Sequence, residues 1–495
     1  MSELPEGWVE AELGELGKWT GGGTPSKSNS TFWENGTVPW VSPKDMKSDR
    51  IASSEDKITE LAIEGSTTNL VPVGTVMLVT RSGILKHTLP VAIAQVPVTI
   101  NQDLKALTPS EGINSDFVAR QLKGAQRKIL NDCSKAGTTV DSIDFKRLQA
   151  FRISIPPLAE QKRIVGKLDA LSAKSARARD HLSRIETLTK RYKQAVLSKA
   201  FSGELTKDWR GAQSAASDSL KEVELVEKAK QGRLKIRGVT KILEGIVLSS
   251  LPDGWNWIQN YRLADDASNA ICAGPFGTIF KAKDFRSEGV PIVFLRHVGE
   301  GKYLTHKPNF MDEEVWKELH QPYSISGGEL LVTKLGDPPG TACIYPQEAG
   351  TAMVTPDVMK MSVDPSAAST LYLMYFFNSP VCKAMIQELA FGLTRLRIDL
   401  SMFKGFPIPL SPRAEQKEIV RRIESAFAKI DKLAADAKRA LALTDRLDEA
   451  FLAKAFRGEL VPQDPNDEPA SILLDRIKAE RAAAPKAKRG RGKKA

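Results

Sequence analysis

Along residues 158–205 apolar and small side chains return at alternating steps of three and four: Ile164, Leu168, Leu171, Ser175, Ala178, Leu182, Ile185, Thr189, Tyr192 and Val196. A 3.5-residue period sustained for about four heptads, with charged residues on the other faces, predicts a coiled-coil helix. Pro156 and Pro157 stop the extended run before it, and Gly203 ends it. Residues 413–460 repeat the period through Ile419, Ile423, Ala426, Ile430, Leu433, Ala437, Ala440, Thr444, Leu447 and Phe451, and stop at Gly458. Elsewhere the pattern changes. Short apolar runs bounded by glycine, Val76–Val79 and Leu330–Val332, predict strands, whereas 115–132 and 369–390 have helical spacing. The chain thus reads as mixed α/β globular parts joined by two long helices, which pair with each other as a coiled coil.

The two halves are copies of one plan. Leu4-Pro5-Glu6-Gly7-Trp8 returns as Leu251-Pro252-Asp253-Gly254-Trp255, and PLAEQKRIV from Pro157 returns from Pro412 with two changes. LSKAFSGEL from Leu197 returns from Leu452, again with two changes. Between these ends the agreement is confined to scattered positions, such as Gly74–Arg81 against Gly328–Lys334. A period this long means domain duplication, not a solenoid. The expected division is a globular part at 1–157, a helical arm at 158–205, and a linker at 206–250. A second globular part follows at 251–412, a second arm at 413–460, and a C-terminal helix with a basic disordered tail at 461–495.

Composition narrows this only slightly. The 495 residues are 41% hydrophobic and 26% charged, values of an ordinary globular protein. No apolar run is long enough to span a membrane, and the N-terminal residues lack an export signal, so a cytoplasmic location is expected. The net charge of +11 resides on the arms, linker and tail, while both globular stretches are slightly acidic. Charge alone therefore does not announce a nucleic-acid partner. No catalytic motif emerges: the five His and four Cys form no metal pattern, and no nucleophile elbow or phosphate loop occurs. Gly21-Gly22-Gly23-Thr24-Pro25 reads as a surface loop. Asp337-Pro338-Pro339-Gly340 has a glycine where an adenine methyltransferase loop carries its aromatic ring, and reads as a turn. No catalytic residue, metal ligand or bound cofactor is assigned.

Candidate nucleic-acid contacts are basic residues in loops after the recurring strands: Lys44, Arg81, Lys86 and His87 in the first half, Arg296, His297 and Lys334 in the second. Their recurrence at matching places is what lifts them above solvated surface charge. The two arms, the LPxGW openings, the PxAEQKxIV and KAFxGEL motifs and the terminal DRIKAERAA segment together resemble the specificity subunit of type I restriction-modification enzymes, over essentially the whole chain. Thr80-Arg81-Ser82-Gly83 and Asn101-Gln102-Asp103 are similar to recurring recognition segments of that family, from which Thr333-Lys334-Leu335-Gly336 and Thr355-Pro356-Asp357 depart.

The resemblance implies a non-catalytic, DNA-binding chain of a bacterial or archaeal cytoplasm. Two target-recognition domains would each read one part of an asymmetric split sequence in double-stranded DNA, and the arms would form an antiparallel coiled coil that sets the gap. Two methyltransferase subunits would dock on the arms, joined by ATP-driven restriction subunits, so that adenine methylation or restriction is directed by this chain. S-adenosylmethionine, ATP and Mg are then expected on the partners. Arm residues expected to serve the coiled coil or the partners are Glu160, Gln161, Ile164, Leu168, Leu171, Leu182, Ile185, Glu415, Gln416, Ile419, Ile423, Ile430, Leu433 and Leu447. Two other readings stay open: a degenerate adenine-N6 DNA methyltransferase, and a coiled-coil scaffold without affinity for DNA.

Overall fold

A computed structural model describes residues 4–135, 141–213, 217–244, 246–392 and 396–483. The basic end from Lys486 onward, expected to be disordered, lies outside the described residues. The chain divides into two compact units, Met1–Leu182 with Lys438–Ala495, and Ser183–Ala437. Each unit therefore takes one globular part, the end of one arm and the start of the other.

In the first unit a five-stranded sheet orders Gly17–Gly21, Leu104–Pro109, Val76–Val79, Val91–Ala94 and Arg50–Ile51. A second sheet is built around Val38–Val41, which runs parallel to Val98–Ile100. The second unit repeats the scheme: Leu330–Thr333 lies between Val358–Met361 and Ala342–Ile344, and Val290–Val293 runs parallel to Ala352–Val354. Burial of whole strands, such as Val76–Val79, explains their unbroken apolar runs. The helical stretches each break once. Ser115–Gly124 and Gln126–Cys133 divide after Gly124, and Thr370–Phe377 and Pro380–Leu389 divide at Pro380, which opens the second helix.

The arms are single helices, α1 at Leu158–Phe201 and α3 at Arg413–Ala455. Between them lies α2 at Ser219–Ala229, and α4 at Ala470–Ala483 ends the described chain. Within the first unit α1 and α3 run antiparallel: Ser175 donates to Asp448 at 2.7 Å, and Arg179 meets Asp445 at 2.9 Å and Asp448 at 2.6 Å. Within the second, Lys193 pairs with Asp431 at 2.6 Å, and Arg422 reaches the Leu205 carbonyl, just beyond the end of α1, at 2.8 Å.

The seam departs from the expected one in phase. Leu433 and Leu447 are 62% and 51% exposed, and Tyr192 is 64% exposed. The inward positions of α3 are Ile430, Ala434, Ala437, Leu441, Thr444 and Asp448. Steps of three and four fit either side of a stripe equally well. The polar layer of Ser175, Arg179 and Asp448 decides the phase, because it turns Asp448 inward and Leu447 outward. Ile164, Leu168, Ile419, Ile423 and Ile430 are buried as a seam requires, and Leu171, Leu182 and Ile185 are half-buried.

Candidate nucleic-acid interface

The motifs that recur along the chain meet in space, three to each unit. In the first unit the Trp8 indole donates to Glu160 Oε2 at 3.0 Å. Gln161 accepts from the Asn114 N–H at 2.8 Å and donates to the Pro156 carbonyl at 3.0 Å. Gly458, at φ +75°, ends α3, and a Cβ there would lie 2.5 Å from the Pro5 ring. The N–H of Ala470, at the start of α4, donates to the Gly7 carbonyl.

The second unit builds the same knot. Trp255 donates to Glu415 Oε2 at 2.8 Å, and Gln416 holds the Ser369 N–H and the Ser411 carbonyl at 2.9 and 2.8 Å. Gly203, at φ +78°, packs on Pro252, and the N–H of Ser219 in α2 donates to the Gly254 carbonyl. Glu160, Gln161, Glu415 and Gln416 are thus at most 2% exposed. They were expected on the arm's contact surface. Instead they bolt the arm to its globular part, since a buried carboxylate and amide must spend their hydrogen bonds inside.

Each knot mounts a pair of loops at the end of the central sheet. After Val76–Val79 the chain is fixed by the N–H of Thr80 on the Asp103 carbonyl and of Ile143 on the Thr80 carbonyl. After Leu330–Thr333 the same bonds run from Lys334 to Asp357 and from Ile398 to Lys334. Lys334 therefore occupies the place of Thr80, not of Arg81; Leu335, opposite Arg397, occupies that of Arg81, opposite Ser142. Matching the two basic residues was a one-position slip. Lys44 and Arg296 do coincide: each follows its strand by the same number of residues in a short turn, which the Asp45 carboxylate and the His297 ring respectively close.

Arg81, Lys86, His87 and Gln102 have exposed side chains on the first unit's loops, with Gln102 accepting from the Thr24 hydroxyl. Lys44 is exposed but bound by Glu55 at 3.3 Å and Asp56 at 3.0 Å. Arg296 is exposed, lies 4.2 Å over the Phe294 ring and donates to Asn309 at 2.7 Å. His297 differs from the expectation. It is 3% exposed, its Nδ1 accepts from the Phe294 N–H, and burial, aided by the charge of Arg296, lowers its pKa to about 4. A neutral, enclosed imidazole shapes the turn and offers no contact to a polyanion.

Lys334 is half-buried, its Nζ 4.2 Å from the centre of the Phe276 ring, and desolvation lowers its pKa against the pull of Asp357 and Asp399. Reading the sequence missed Phe276 and Phe391, 59% and 45% exposed, and Arg397, whose guanidinium lies 5.4 Å over the Phe391 ring. The glycine loop has a packing constraint that the sequence did not show. A Cβ on Gly22 would lie 1.8 Å from the Asn101 carbonyl oxygen, so glycine is needed for close backbone approach. Gly274 meets the Val354 carbonyl in the same way. The Asp337–Gly340 segment joins two strands of one sheet, with the Gly340 N–H on the Thr333 carbonyl.

Residues 5–187 match the family model of the type I restriction modification DNA specificity domain. The chain is 45% identical to the Escherichia coli type I restriction enzyme EcoR124I/EcoR124II specificity subunit over 194 residues, which are 39% of this chain and 48% of that protein. It is 28% identical to the Escherichia coli EcoBI specificity subunit over 78% of this chain and 76% of that one. The chain is similar to type I restriction enzyme specificity subunits, and it spans about half the length of the first of them. Its fold is that of the HsdS subunit from Thermoanaerobacter tengcongensis, with a TM-score of 0.57 at 18% identity over 92% of this chain and 98% of that one. In this chain that fold comprises two mixed α/β parts and the two long helices α1 and α3. Among the described residues no helix is long and apolar enough to cross a membrane.

Proposed function

We propose that the chain is the DNA-specificity subunit of a type I restriction-modification assembly in a bacterial or archaeal cytoplasm. Its two α/β parts each read one portion of a split duplex target, and the paired helices set the unread spacer. One observation carries this reading: the same three-motif mount is built twice, around loops that differ in nearly every exposed side chain. Identical mounts with unlike tips suit two readers of unlike sequences. Arg81 and Gln102 in the first unit and Arg296 in the second are exposed loop residues, and on this reading they make base-edge or phosphate contacts. The chain itself performs no chemistry; S-adenosylmethionine, ATP and Mg belong on its partners.

A second pair of matched features supports two copies of one partner. Leu188 and Tyr192 of α1 are 57% and 64% exposed, and Leu443 and Leu447, 255 positions later on α3, are 55% and 51% exposed. Arg191 and Arg446, at the same separation, are exposed beside them. An apolar pair one helical turn apart, flanked by arginine, fits a protein partner's groove, and two such sites fit two methyltransferase subunits.

Methylome sequencing of cells carrying the chain with its partner subunits tests the reading. Exchanging residues 1–157 for those of a relative should change one portion of the methylated sequence and leave the other intact. Simultaneous change of both portions, or methylation indifferent to the exchange, would refute it.

A further inference from the structure

The position that holds Thr24 in the first unit, two residues beyond the close-packed glycine, holds Phe276 in the second. Thr24 joins Gln102 in a polar pair at the loop tip. Phe276 is a large ring left 59% exposed, and Pro356 stands where Gln102 does. The ring is not loose. Lys334, anchored by its backbone on Asp357 and Ile398, lays its ammonium 4.2 Å from the ring centre, and Gly274 sits against the Val354 carbonyl just before it. With one face covered by a cation, the ring cannot stack between two bases. What it offers outward is a rigid apolar edge next to a positive charge. In a duplex groove the matching feature is the C5 methyl of thymine, the one apolar group that a base pair presents there, with a phosphate in reach of the cation.

Building on the DNA-reading function proposed above, we propose that Phe276 reads a thymine methyl in the portion of the target recognised by the second unit. The first unit, with Thr24 and Gln102 at the same place, reads there by hydrogen bonds.

The test uses the full chain assembled with its methyltransferase subunits and duplexes carrying the methylated target. Each thymine of the target is replaced in turn by deoxyuridine, which removes only the methyl group. At one position of the second portion the replacement should weaken binding about fourfold, the worth of one buried methyl-sized group. Phe276→Ala should bind the thymine and deoxyuridine duplexes equally, and Phe276→Leu, which keeps an apolar edge, should preserve the discrimination. Discrimination that persists in Phe276→Ala, or its absence throughout the second portion, overturns the proposal while target binding leaves the DNA-reading function standing. An assembly with no preference for its target duplex overturns both.

Discussion

The two units differ most instructively at the carboxylate of their knots. Glu415 receives three donors, the Trp255 indole at 2.8 Å, the Thr206 hydroxyl at 2.7 Å and the Arg210 guanidinium, and is thereby an enclosed but neutralised anion. Glu160 receives Trp8 on one oxygen, while its other oxygen is buried without a hydrogen-bond partner. The chain that follows α1 brings Thr206 and Arg210; the chain that follows α3 has Val461 and Pro462 after its GEL motif, and its nearby Arg163 is engaged at 2.5 Å by Asp467. Burial accordingly raises the Glu160 pKa above the usual carboxylate range. The same motif letter has three donors in one unit and one in the other.

The matched sites on the arms give the largest expected effects. Leu443→Asp with Leu447→Asp, or Leu188→Asp with Tyr192→Asp, should each weaken one methyltransferase subunit at least about a hundredfold, leaving the other bound. Mass photometry would then count one partner where the parent chain holds two; loss of both from a single pair of changes would break the equivalence of the sites. A heptad inserted in both α1 and α3, about 10 Å of helix, should lengthen the methylated target's spacer by about three base pairs, and an unchanged spacer would dismiss the arms as its measure.

The knots come next. Glu415→Ala leaves Arg210 and the Trp255 indole without their acceptor and should cost the second unit about 3–5 kcal/mol. Glu160→Gln keeps an acceptor for Trp8 and removes a costly charge, so the first unit should change by at most about 1 kcal/mol. Calorimetric unfolding of both variants compares them, and equal losses would erase the contrast.

The smallest effect is pH dependence. A carboxyl whose folded pKa is raised is most favourable to folding below its unfolded value, and that contribution is lost as pH rises through the folded value. Glu160 therefore favours the first unit below the ordinary carboxylate range. In the second unit the Arg421 and Arg422 guanidiniums lower Glu418 to about 2, and Arg422 also lowers Asp208. Their contributions are present above the ordinary range and fade as pH falls. Acidification from neutrality should thus bring the two units' unfolding transitions to different temperatures, and Glu160→Gln should remove the first unit's share of the divergence.

Much of this organisation was legible in the residues, because duplication writes the same constraint twice. The LPxGW, AEQK and KAFxGEL segments stood out since each must match two others, and matched surfaces tolerate few changes. Their purpose was less legible: nothing in the letters says that Trp8, 152 positions away, donates a hydrogen bond to Glu160. The candidate contact loops were located correctly as loops, yet His297 turned inward, because a turn closed by Asp45 in one unit is closed by an imidazole in the other. Phe276 and Arg397 left no mark, because their counterparts Thr24 and Ser142 are unlike them in chemistry and only the folded loops align the pairs.

The sequence by itself determined the duplication, the mixed α/β parts and the two long helices, since period, glycine stops and repeated motifs are local properties that any partner must respect. Only the tertiary structure decided the rest. It set the phase of the seam, because a 3–4 stripe has two sides and the hydrogen-bonded Ser175–Arg179–Asp448 layer selects one. It assigned each arm's terminal glycine to the globular part it closes, Gly203 to Pro252 and Gly458 to Pro5, because close packing joins surfaces that no spacing along the chain can pair.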